Sequence, residues 1–276
     1  MTLSASRSAP VVPAHLPSFG ALAEAGTWEE EDFVLRFFPV VDMRRRAVAS
    51  LFCTPMCDRV GADTIYGHCA FPAFTGRIWS AIDVAILHHA LAFAGRLAAG
   101  GVAMAVGASV SFATLSDPTG RMIYRAALRL ARAQEQIALA IKIEDIPPDT
   151  PAKRIGEIAS TIAGLAPRVW LHLPDSRAAP GGQGPLHAAG LVLTMPPQLP
   201  HQGAQAEARW LARHAAQHGA LACMDHVDTQ AELESTLSAG VHFVAGAALR
   251  RASLSGVASA GEVLEALAAP LAAAGR

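Results

Sequence analysis

The sequence predicts an α/β fold built from βαβ units behind an opening antiparallel hairpin, and three observations predict it. From residue 80 onward, short apolar runs alternate with helical stretches. The apolar runs carry few polar interruptions, as parallel strands covered on both faces do. The composition is dominated by alanine and leucine, 52% hydrophobic and only 6% aromatic, which suits helices packed on buried strands better than a β-sandwich. The 276 residues suffice for one large core, and (β/α)8 barrels often run to about 250 residues as one domain.

Taken in order, residues 1–27 read as a flexible tail rich in Pro, Ser and Ala, without the continuous apolar core of a signal peptide. The folded domain is expected over 28–276. Phe33 to Met43 reads as a strand, Arg44 to Arg46 as an exposed turn, and AVASLFC as the returning strand of a hairpin. Residues 54–77 hold Pro, Gly and Cys with no clear period and read as an irregular insertion. Ser80 to Ala99 reads as a helix, with Ile82, Ile86, His89, Phe93 and Leu97 on one stripe, Ser80 and Asp83 capping its start, and Gly100–Gly101 ending it. Six strands follow: VAMAVGASV, IALAIKIED, RVWLHL, GLVLTM, ALACMDHV and VHFVAGAAL. Between them, helices are expected over Arg121–Ala133, along the Ile155, Ile158, Ile162, Leu165 stripe, and over Ala204–His218. Thr229 and Glu232 form a capping box for a helix ending near Ala239–Gly240, and Ala260–Ala273 forms a last helix. Pro174 to Gly184 is a Gly/Pro-rich loop. A closed barrel and an open doubly wound sheet both fit this alternation. No Gly-rich phosphate fingerprint follows the early strands, which weakens a dinucleotide-binding reading.

Charge and cysteine usage narrow the function classes. A net charge of −1 gives no electrostatic footprint for nucleic acid or an anionic membrane. No uninterrupted apolar run reaches the roughly 18 residues of a membrane helix. The four cysteines, Cys53, Cys57, Cys69 and Cys223, do not make a secreted disulfide framework, so a cytoplasmic setting is expected.

The order and spacing of several short motifs resemble the EAL domain family, the (β/α)8 barrels of cyclic di-GMP phosphodiesterases. Pro39, Val40, Val41 and Asp42 match the family's opening P-I-V-D strand. Ile82 and Asp83 sit where the first long helix opens, and Leu115 to Pro118 matches the segment after the second barrel strand. Asp225 to Thr229 (DHVDT) is similar to E-G-V-E-T, and Gly240 to Gly246 to G-x-D-x-x-Q-G. The resemblance implies an EAL-type (β/α)8 TIM-like barrel with an opening antiparallel hairpin. Such enzymes hold two divalent cations with carboxylates and an Asn, because hard cations need several oxygen ligands and paired metals activate the attacking water.

Carried over position by position, the resemblance implies that most of those ligands are gone. The signature Glu falls at about Leu51 and the Asn at Ser109. The first Glu of E-x-T-E falls at Ala140, and its last at Ile143 or, with a one-residue shift, Glu144. The paired Asp fall at His172 and Leu173, the strand Lys at about Leu193, the late Gln at Ala245, and a Gln contacting the dinucleotide at Phe38. Asp225 alone replaces an acid by an acid. One carboxylate cannot hold two cations, and Leu51 and Leu173 would put apolar surface where charge is needed. The expectation is a degenerate, catalytically inactive member with no cofactor. Losing base and phosphate contacts together with the metals argues against cyclic di-GMP binding.

The resemblance then implies a bacterial signalling protein acting through a protein partner, such as a signalling or transcriptional regulator, or through a homodimer. Two alternatives stay open: a receptor that binds cyclic di-GMP or a related nucleotide without cleaving it, and an enzyme with a repurposed barrel mouth using His172, Asp225 and His226. Cys53, Cys57, His68 and Cys69 carry ligand types suited to zinc, but their C-x3-C-x10-H-C spacing matches no standard finger, and buried apolar cysteines give the same pattern.

Overall fold

In the computed structural model, the residues described are 33–251 except 46, 58–64, 67–75, 100, 103, 133–137, 174–175, 177–185 and 198. The expected N-terminal tail, the helix at Ala260–Ala273 and the loop from 177 to 185 lie outside them.

The hairpin forms as the sequence predicts. Strands β1 (Phe33–Asp42) and β2 (Ala47–Cys57) pair antiparallel. The turn between them is set by Asp42, whose Oδ1 accepts the backbone N–H of Arg44 at 3.0 Å and of Arg45 at 3.2 Å, the local bonding that makes Asp a turn former. A short β3 (Ile65–Tyr66) pairs antiparallel with the end of β2. Strands β4 (Ala105–Ser111), β5 (Leu139–Glu144), β6 (Arg168–Leu173), β7 (Gly190–Thr194), β8 (Leu221–Asp225) and β9 (Phe243–Val244) then run parallel in sequence order. β2 pairs parallel with β4, and β1 pairs antiparallel with β9, so the ring closes. The result is an eight-stranded barrel with one antiparallel strand, and closure decides between the two topologies the alternation allowed.

Helices α1 (Gly76–Ala99), α2 (Phe112–Ser116), α3 (Pro118–Arg132), α4 (Ala152–Ala163), α5 (His201–Gln217), α6 (Gln230–Ser238) and α7 (Ala248–Arg251) follow in chain order. The capping box at α6 is present: Thr229 Oγ1 accepts the Glu232 N–H at 3.2 Å, and Glu232 Oε2 accepts the Thr229 N–H at 2.9 Å. α1 starts at Gly76, a turn earlier than the sequence suggests, so Ser80 and Asp83 are not its caps. They are buried within it, and Asp83 Oδ2 accepts the Ser111 N–H at 3.1 Å, tying the helix to the end of β4. His89 is exposed and stacks on Phe37 instead of joining Ile82, Ile86, Phe93 and Leu97 in the core. By length and composition the stretch Trp79–Ala99 could cross a membrane, but half of its apolar window is buried against the rest of the fold. The last strand is shorter than expected because Gly246 takes φ 145° and α7 begins at Ala248. A Cβ at Gly246 would overlap the Val227 backbone.

Two apolar layers result. The larger lies between strands and helices. The smaller fills the barrel's interior with Val40, Phe52, Ala140, Trp170, Val192, Cys223 and Ala245. Two of these side chains are large, and each has room because a glycine faces it. A Cβ at Gly107 would overlap the Phe52 ring, and one at Gly190 would overlap Trp170. A glycine opposite each large ring lets Phe52 and Trp170 share the barrel interior.

Candidate functional site

Successive residues of a strand point to opposite faces, so the even-numbered positions of β5 to β7 that share the barrel interior continue upward into its mouth. Above the apolar floor, at the C-terminal ends where barrel sites form, lie Ser109 on β4, Lys142 and Glu144 on β5, His172 on β6, Thr194 on β7 and Asp225 on β8.

Lys142 is the centre of this group. It is 6% exposed. Its Nζ is 2.7 Å from Glu144 Oε1 and 3.8 Å from Asp225 Oδ2, and it stands 5.5 Å from the centre of the Phe52 ring. Ser109 Oγ donates to the same Glu144 oxygen at 2.9 Å. Burial on its own pulls the ammonium's pKa down, but the charges of Glu144 and then Asp225 outweigh it and hold it above the ordinary lysine value. Lys142 is therefore a fixed positive charge and not a nucleophile. His172 Nε2 and Thr194 Oγ1 are hydrogen-bonded at 2.8 Å. Burial, followed by the neighbouring Lys142 charge, holds the imidazole below its usual value, so it is neutral at pH 7. Cys223, on the floor, has its thiol pushed up, chiefly by burial and then by Asp225, which leaves it unreactive.

The loops at the rim are pinned. Asp225 Oδ1 accepts the His226 N–H at 2.9 Å, and His226 adopts φ 56°. Asp145, immediately after β5, adopts φ 55°. Left-handed conformations at non-glycine residues cost energy and cluster where a site over-determines the backbone. Asp228 Oδ1 accepts the Ala247 N–H at 2.7 Å, joining the loops after β8 and β9. Beside the mouth lies a cavity of about 180 Å³, bordered by Phe38, Phe52, Trp170, Lys142, Asp225 and His226.

The structure thus gathers Ser109, Glu144, His172 and Asp225 around one ammonium, and sets Phe38 on the cavity wall. Ala140 and Ala245 belong to the floor beneath it. Leu51, Leu173 and Leu193 correct the sequence reading. They lie in the layer between strands and helices and present no surface to the mouth. A one-residue offset along a strand exchanges its faces, and the inward neighbours are Phe52 and Thr54, His172, and Val192 and Thr194. Sequence reasoning missed Lys142 altogether, together with Phe52 and Trp170. The signal was present: a lysine inside the otherwise apolar run IALAIKIE is tolerated only when paired.

Cys53 points into the strand–helix layer, where burial pushes its thiol up to about 12. The Cys57 side chain, His68 and Cys69 lie outside the described residues. Among the described residues no three His, Cys, Asp or Glu side chains are arranged to hold a metal. The mouth does not fit a two-cation centre either: Glu144 and Asp225 share one ammonium, Asp228 accepts the Ala247 N–H, and a pair of hard divalent cations requires more oxygen donors than these leave.

No protein-family model matches the sequence, and no curated protein matches it. Solved structures do. The chain is similar to the FimX EAL domain of Xanthomonas citri in complex with c-di-GMP, at 18% identity over 84% of this chain and 89% of that one, with a TM-score of 0.57. It is similar to the FimX EAL domain of Pseudomonas aeruginosa bound to c-di-GMP, at 16% identity over 84% and 93%, TM-score 0.55. It is also similar to the PaMucR phosphodiesterase in a c-di-GMP complex, at 13% identity over 79% and 91%, TM-score 0.58. At these identities the likeness establishes the fold, an EAL-type (β/α)8 barrel.

Proposed function

We propose that this EAL-type barrel does not hydrolyse cyclic di-GMP and acts in cyclic di-GMP signalling by associating with a protein partner. One observation carries the first half: Lys142 occupies the space between Glu144 and Asp225. An ammonium neutralises those carboxylates but offers no open coordination position, so it cannot bind a water and lower its pKa as a divalent cation does. Glu144, Asp225 and Asp228 outnumber Lys142 at the mouth, which disfavours a ligand carrying two phosphodiesters.

The second half rests on α3. Met122, Ile123 and Leu130 are 64%, 44% and 63% exposed. With the exposed Ala126 they line one side of a helix whose other side is buried. Arg129 is exposed beside them, and Arg121 and Arg125 are partly so. An apolar strip flanked by arginines is complementary to an acidic amphipathic helix of a partner protein. A second copy of this chain fits less well, because a two-fold pairing would set arginine against arginine.

The cavity bordered by Phe38, Phe52 and Trp170 favours a second reading, a receptor that stacks a base without cleaving the nucleotide. Calorimetric titration of cyclic di-GMP, with and without Mg²⁺ or Mn²⁺, and chromatography of the mixture separate the readings. No heat and no linear dinucleotide supports the partner-binding reading. Binding without cleavage makes the protein a receptor, and cleavage rejects both.

A further inference from the structure

We infer that the Lys142 ammonium is a tethered stand-in for a divalent cation, and that the barrel mouth is a latent single-cation site that Lys142 keeps filled. The inference rests on the non-hydrolysing reading and concerns how that state is built into the chain.

The starting point is the cost of the arrangement. A buried lysine and a buried glutamate each lose their hydration, a cost recovered only with short, well-aimed contacts. Here one nitrogen answers two carboxylates delivered by different strands, 2.7 Å from Glu144 on β5 and 3.8 Å from Asp225 on β8. Ser109 on β4 supplies a further oxygen 2.9 Å from the same Glu144 atom. Two carboxylates meeting on one point of positive charge, with a hydroxyl hydrogen-bonded to one of them, are donor types that Mg²⁺ and Mn²⁺ take, water filling the remaining positions. The two carboxylates belong to different strands, and the Lys142 ammonium, 5.5 Å from the centre of the Phe52 ring, sits between them. Nothing else described in the barrel interior is positive, the floor below being Ala140, Trp170, Val192 and Cys223. The carboxylates therefore need a cation, and the chain provides one covalently.

Two consequences follow. In the wild-type protein an incoming divalent cation must displace a charge that cannot leave, so affinity is suppressed. Removing that charge while keeping the stem leaves two carboxylates at the mouth that a soluble cation can neutralise.

The test is Mn²⁺ titration of the wild type, Lys142→Met and Lys142→Met/Asp225→Asn, read by the loss of the free Mn²⁺ paramagnetic resonance signal and by melting temperature. Methionine retains an apolar stem of similar length without the charge. The wild type should bind Mn²⁺ weakly or not at all. Lys142→Met should bind at least about tenfold more tightly and melt higher with Mn²⁺ than without, and the double variant should lose both effects. If Lys142→Met is unfolded alone, Mn²⁺ should restore its cooperative melting. Equal binding by wild type and Lys142→Met overturns the inference, as does a Lys142→Met protein, folded or not, that ignores Mn²⁺, or a double variant that still binds it. Any of these leaves the non-hydrolysing reading intact. That reading falls only if the wild type linearises cyclic di-GMP.

Discussion

At the scale of single residues, the mouth is decided by pairing. Removing one partner of a buried ion pair costs more than the pair is worth, because the other charge is left without compensation. Lys142→Ala should therefore lower stability by about 3–5 kcal/mol in urea unfolding at pH 7. A loss under about 1 kcal/mol would mean that water already screens the cluster. His172 gives a pH signature. Its folded pKa lies below the ordinary 6.5, first through burial and then through Lys142. The unfolded chain thus binds the extra proton first, so the contribution is fully present above 6.5 and is lost as pH falls below it. Replacing His172 by Asn should flatten the decline in stability on the acid side of that value relative to wild type. Superimposable pH profiles would show that His172 titrates alike in both states.

At the scale of elements, the barrel is fitted ring against glycine. Gly107 on β4 and Gly190 on β7 make room for Phe52 and Trp170, so both strands tolerate an interior aromatic that a Cβ would expel. Gly107→Ala should destabilise by about 1–3 kcal/mol through overpacking. Adding Phe52→Leu should recover part of that loss, a non-additivity visible in a double-mutant cycle. Strict additivity would mean that the two positions do not meet. The elements themselves were largely legible. β6 spans Arg168–Leu173 as RVWLHL suggests, and the α6 capping box is where Thr229 and Glu232 put it. Both signals are local, set by side-chain period or by a three-residue spacing. The start of α1 was not legible, because Ser80 and Asp83 look like caps until tertiary packing buries both, Asp83 against the end of β4.

At the scale of the whole molecule, α3 offers an apolar strip that the barrel does not cover. Met122→Glu with Leu130→Glu should leave the melting temperature near wild type, since exposed substitutions shift stability by under about 0.5 kcal/mol. The same pair should abolish binding of an acidic amphipathic partner helix in fluorescence anisotropy. A wild-type dimer in light scattering that the double substitution converts to monomer would assign the strip to self-association instead.

By itself the sequence determined that the chain is an α/β protein opening with a hairpin, and its short motifs pointed to the EAL-type barrel that the structure neighbours share. These features follow from patterns a few residues long: alternation of apolar runs and helical stripes, a turn after Asp42, a capping box. Only the tertiary structure decided that the sheet closes, through β1 pairing with β9, and which face of each strand looks inward. That second choice moved Leu51, Leu173 and Leu193 out of the mouth and brought Lys142 into it. The reason is physical. A strand's two faces differ by one residue, too fine a distinction for motif spacing. The charge that makes Lys142 tolerable inside the barrel comes partly from Asp225, on a strand three places around the ring, whose position relative to β5 exists only once the barrel is closed.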